Sequence, residues 1–64
     1  MDETPDYTTI AHVPGTRKYR ARLMRWDVRA DSYQVERQSP PITQAAAEAL
    51  AKGWALIHRL EYRP

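Results

Sequence analysis

A chain of 64 residues with no cysteine has room for one domain and for no staple: at this size only about 60% of the unfolded surface is buried, and neither a disulfide nor a thiolate zinc site can add stability. The net charge of +2 is the remainder of a segregation, since residues 1–16 carry Asp2, Glu3 and Asp6 with no Lys or Arg, while residues 17–29 carry Arg17, Lys18, Arg20, Arg22, Arg25 and Arg29 against Asp27 alone. An acidic opening is unlike a secretory leader, and no apolar run nears the roughly 20 residues of a membrane span, so the expected location is the cytoplasm.

Residues 1–64 are read as one domain in four parts. The first, residues 1–15, is a partly irregular acidic segment. Within it Tyr7 to His12 forms either a short edge strand capped by Pro5 and Pro14 or an ordered coil lying on the sheet. Pro14-Gly15 is a turn signal. His12 has no second ligand at useful spacing and reads as a surface histidine.

Residues 16–38 are expected to form a basic β-hairpin. TRKYRARLMRWDV alternates without Gly or Pro, the pattern of a strand, but its apolar parity changes at Leu23-Met24. Tyr19, Ala21 and Leu23 share one face, and Met24, Trp26 and Val28 the other. Either a bulge near Met24 brings both sets to the core, or the strand is regular and Lys18, Arg20, Arg22, Met24 and Trp26 form an exposed basic-aromatic stripe. Arg29-Ala30-Asp31-Ser32 makes the turn. Tyr33 to Arg37 alternates with Tyr33 and Val35 inward and returns antiparallel, and Ser39-Pro40-Pro41 ends the strand because proline cannot donate to the ladder.

Residues 43–58 carry the helix. Ile42, Ala46, Ala49, Leu50, Gly53, Trp54 and Ile57 recur at helical spacing, and their stripe is expected to face the sheet. Thr43 is the expected N-cap, with Ser39 followed by Pro40 as the alternative. Gly53 either lies inside a helix that runs to His58, where close approach to the sheet would explain it, or caps a shorter helix that ends at Lys52. The long helix is the preferred reading, with His58 placed to interact with the C-terminal dipole. Residues 59–63 close the chain as a short strand.

The fold class expected is therefore α+β: a small antiparallel sheet, made of the hairpin and a short C-terminal strand, packed against one α-helix in the C-terminal half. Its core is expected to contain Tyr19, Leu23, Val35, Ala46, Leu50, Trp54, Ile57 and Leu60.

Catalysis is not expected. The two histidines lie far apart in sequence, Gly15 and Gly53 cannot cradle a phosphate, and each carboxylate sits beside a basic neighbour or in a polar turn, Asp27 being the one placed for partial burial. No cofactor and no metal site are expected. The basic hairpin remains as the candidate binding element, with Lys18, Arg20, Arg22, Arg25, Trp26 and Arg29 as contact residues. Clustered cations suit a phosphate backbone, and Tyr19, Trp26 or Tyr33 could stack on bases. Arg and Trp equally dominate protein interfaces, and Arg-rich strands also protect a sheet edge.

One resemblance follows from Tyr33-Gln34-Val35, the proline punctuation and the run Thr43-Gln44-Ala45-Ala46. Over residues 17–57 the chain resembles the arm-binding domains of phage tyrosine recombinases, which lay a small sheet in the major groove of DNA and back it with a C-terminal helix. That resemblance implies DNA contact by the hairpin, although the family's hairpin glycines have no counterpart here. A second format, the small cysteine-free phage protein that blocks a host machine, as anti-CRISPR proteins do, implies a host protein or nucleoprotein complex as the partner. The expected function is thus a non-catalytic, phage- or mobile-element-encoded inhibitor acting through the basic hairpin, with direct DNA or RNA binding as the alternative. It would act as a monomer or homodimer and without a membrane.

Overall fold

The computed structural model describes residues 6–64. Asp2, Glu3 and Pro5 of the acidic segment lie outside them. Five elements follow in order: β1 (Tyr7–His12), β2 (Tyr19–Asp27), β3 (Ser32–Gln38), α1 (Gln44–His58) and β4 (Glu61–Tyr62). The strands form one sheet in the order β3-β2-β1-β4, covered on one side by α1. The α+β class and the C-terminal-half helix are those expected from the sequence.

Two details of the sheet differ from the expectation. Residues 7–12 are a strand, but an interior one, with β2 antiparallel on one side and β4 parallel on the other. The C-terminal strand therefore joins β1 and not the hairpin. Thr8 explains the placement: its backbone pairs with Leu23 and Tyr62, and its fully buried hydroxyl donates to the Ala51 carbonyl of α1 at 2.9 Å. A threonine can occupy the centre of the core because its hydroxyl has that acceptor.

The turn between β1 and β2 is built by its own polar groups. Gly15 takes a positive φ of 78°, the Thr16 hydroxyl donates to the Val13 carbonyl and accepts from the Lys18 amide, and His12 Nε2 donates to the Thr16 carbonyl at 2.6 Å. His12 is thus a fastener of the turn.

Thr43 is the N-cap, its hydroxyl accepting from the Ala46 amide at 3.2 Å. The helix runs through Gly53 to His58. It stops at Arg59, which takes the left-handed conformation (φ 56°), while the Leu60 amide bonds the Ala55 carbonyl at 2.8 Å. That pattern is a Schellman termination with arginine in the position glycine usually fills.

The buried face of α1 is not the one expected. Ala47, Ala51 and Ala55 lie against the sheet, where Ala21 and Leu23 meet them. Leu50, Trp54 and Leu60 are half-buried at the margins, as is Tyr19, whereas Ala46 and Val35 are exposed and Ile57 is 75% exposed. At about 3.6 residues per turn this turns the helix by roughly a third of a revolution from the expected stripe. Small side chains decided it, because only an alanine face lets the helix backbone come within hydrogen-bonding distance of Thr8. The proposed reason for Gly53 fails with the stripe: a Cβ there would meet nothing within 4 Å.

Candidate interaction surface

Opposed residues in paired strands share a face and successive residues alternate, so the register sorts the hairpin's side chains. From His12↔Tyr19 to Tyr7↔Met24 the β1–β2 pairing is unbroken. The β2–β3 pairing shifts between Leu23↔Arg37 and Met24↔Val35, which leaves Glu36 as an extra residue. The shift falls at Met24 but on the partner strand, so it does not carry both apolar sets of β2 to the core as a bulge in β2 was expected to, and the regular-strand alternative holds. β2 itself alternates regularly throughout.

Arg20, Arg22, Met24 and Trp26 therefore point to the side of the sheet that α1 does not cover. Tyr7, Tyr33 and Val35 join them from the neighbouring strands. Met24 and Trp26 are half-buried there, because aromatic rings shelter that part of the sheet: Tyr33 meets Tyr7 and Trp26 edge to face, with centroids 4.7 and 5.1 Å apart. Arg63 follows β4 onto the same face, its guanidinium 4.5 Å from the Tyr7 ring centre and 2.7 Å from the Glu61 carboxylate. That carboxylate holds the Arg63 guanidinium more firmly protonated than usual.

The two open-face arginines of β2 are positioned and still have donors to offer. Arg20 donates to the Ser39 carbonyl at 3.0 Å and Arg22 to the Gln38 amide oxygen at 3.2 Å. A guanidinium has five N–H donors, so each bond orients the side chain and leaves others to face outward.

The other expected contact residues are dispersed. Arg25 faces the helix side, where Glu36 takes its Nε and Nη2 donors and Asp6 takes Nη1 at 2.8 Å. The Glu36 pair raises the Arg25 pKa further, and the same contact lowers that of Glu36. Lys18 stands just before β2 and Arg29 in the turn after it, at most about 36 Å apart at 3.3 Å per residue, within a molecule 40 Å long. Tyr19 lies on the helix side, edge to face with His12 at 5.2 Å, and cannot join Trp26.

Of the residues singled out from the sequence, Arg20, Arg22 and Trp26 thus share one surface. Tyr7 and Arg63 belong to that surface and were missed. Alternation within β1 does place Tyr7 opposite Thr8, but which side of the sheet is open depends on the helix. Nothing local marks Arg63, which arrives through the pairing of β4 with β1.

An open depression of about 360 Å³ beside the hairpin turn is lined by Arg25, Trp26, Asp27, Val28, Gln34 and Glu36. Its charges are already engaged, Arg25 with Glu36 and Asp27 with the Arg29 and Ala30 amides. Among the described residues no group of His, Asp or Glu is arranged to hold a metal ion, and no helix is long and apolar enough to cross a membrane. Comparison with protein-family models, with curated proteins and with solved structures finds no match.

Proposed function

We propose that the chain is a non-catalytic binding protein that lays its open sheet face on an acidic surface of a host protein or nucleoprotein complex. It would act inside the cell, in the manner of small phage-encoded inhibitors such as anti-CRISPR proteins. One observation carries the reading: Arg20, Arg22 and Arg63 share with Trp26, Tyr7 and Tyr33 a face that no element of the described chain covers. Arg and aromatic residues supply most of the energy at protein interfaces.

Two features favour a protein surface over bare nucleic acid. The rings pack edge to face on one another, whereas base stacking needs their flat faces. The six cations of residues 17–29 are also spread over two faces and two ends of the sheet, which thins the electrostatic footprint that a phosphate backbone requires.

The test has two arms. Fluorescence anisotropy with mixed-sequence DNA and RNA, single- and double-stranded, at two salt concentrations should show no micromolar binding. Binding that weakens steeply with salt would replace this reading with the nucleic-acid one. In the second arm a target captured from a bacterial lysate is purified and titrated. Trp26→Ala should weaken it by about 2 kcal/mol or more, roughly thirty-fold in Kd, and Arg22→Glu should weaken it comparably. Arg29→Ala should leave it unchanged. Equal loss with Arg29→Ala would place the contact at the hairpin tip and overturn the assignment of the face.

A further inference from the structure

With Ala47, Ala51 and Ala55 on the sheet, the outer side of α1 at about 100° per residue carries Ala45, Ala46, Ala49, Gly53, Leu56 and Ile57. The three alanines are exposed, and Leu56 and Ile57 are 81% and 75% exposed. Lys52 at the margin is the one charge on this arc. A helix face turned to water is ordinarily polar, and a continuous exposed apolar face marks a contact surface.

We propose that this face pairs with the same face of a second copy, the two helices antiparallel about a two-fold axis. The sequence of the face selects that occupant. Its N-terminal half is small and its C-terminal half large, so a copy running the opposite way sets bulk against space. With the axis at the level of Ala51, Ala46 faces the second copy's Ile57 on one border and Ala45 faces its Leu56 on the other, each within about 1.5 Å in height, while Ala49 and the second copy's Gly53 meet beside the axis. The two-fold repeats each pair, as an isologous interface must. A parallel copy would oppose Leu56 and Ile57 to themselves.

The flanking charges agree with this register. Glu48 and Lys52 lie four residues apart on one border of the face, 4.0 Å from each other. In the antiparallel pair Glu48 of each copy comes within about 3 Å, along the axis, of the level of the other's Lys52, at 1.5 Å rise per residue, so that border of the seam becomes charge-complementary. Antiparallel helix dipoles add to this. The face from Ala45 to Ile57 is about 18 Å long, and a contact of that length falls below the roughly 1,200 Å² of standard interfaces. The dimer is therefore weak and reversible.

Sedimentation equilibrium of the full chain, from about 10 µM to about 1 mM, should show a monomer–dimer equilibrium with Kd on the order of 100 µM. Ile57→Asp at the end of the register and Ala49→Arg beside its axis should each raise Kd at least about tenfold. Both positions are exposed in the monomer, so unfolding of dilute protein should be unchanged in either variant. A chain that stays monomeric throughout overturns the proposal. So does a dimer that either substitution leaves intact, which would place the contact elsewhere. This outcome is independent of whether the sheet face binds a target.

Discussion

Ser39 stands where β3 meets two prolines, and its 4% exposed side chain does the work of a ladder acceptor. The Ser39 amide bonds the Ala21 carbonyl at 2.9 Å, and the Ala21 amide turns to the Ser39 hydroxyl, also at 2.9 Å, while that hydroxyl donates to the Pro40 carbonyl. Replacement by alanine strands a buried amide, which costs about 1–3 kcal/mol. Ser39→Ala should lower Tm by roughly 4–24 °C in a domain this small, read by circular dichroism. Gly53 gives the opposite result. It is in mid-helix with open space where a Cβ would stand, so Gly53→Ala should stabilise dilute protein by about 1 kcal/mol, raising Tm by about 4–8 °C. A neutral or destabilising outcome would show that the space beside Gly53 is filled in the folded chain.

Among the elements, β3 is the one held at a distance from the core. α1 packs over β1, β2 and β4, and its described link to β3 is the Arg37 guanidinium 5.5 Å from the Trp54 ring centre. The polar fastening lies on Arg25, which bridges Asp6 before β1 and Glu36 in the β3 bulge, while Asp6 also accepts from the Trp26 amide at 3.0 Å. Glu36 titrates below its ordinary value because Arg25 donates to it, so its contribution to stability is full above the usual carboxylate range, near about 4.3, and is lost as pH falls through the lowered folded value. In urea titrations between pH 7 and pH 2, Glu36→Gln should be less stable than the parent at neutral pH, and the two should converge in acid. Curves that stay parallel would remove the Arg25–Glu36 pair from the stability of the hairpin.

The whole molecule is a plate, 15 Å along its shortest axis, with two unlike sides. One is a basic and aromatic sheet face, and the other is a helix whose outer side is apolar. Pairing through α1 leaves both sheet faces pointing outward, so a dimer would present two equivalent binding surfaces and could gain avidity on a repeated target. Ile57→Asp should accordingly leave the affinity for a single purified target unchanged. It would lower retention only on a surface bearing many copies, which surface plasmon resonance at low and high target density distinguishes.

Much of this was legible in the residues themselves, because it depends on neighbours in the chain. Alternation set β2 and β3, the Ser39-Pro40-Pro41 run ended the sheet, the Thr43 hydroxyl started the helix, and the basic run marked the hairpin. Each is a local preference of backbone or charge. The tertiary structure decided what no local pattern carries. It put Tyr7 to His12 inside the sheet, because its two partners lie far along the chain. It buried alanines in place of the larger apolar residues, because closeness to Thr8 outweighed bulk. It gathered Arg20, Arg22, Trp26, Tyr7 and Arg63 on one side and sent Arg25 to the other, because strand parity has meaning only once the helix has chosen which face to cover.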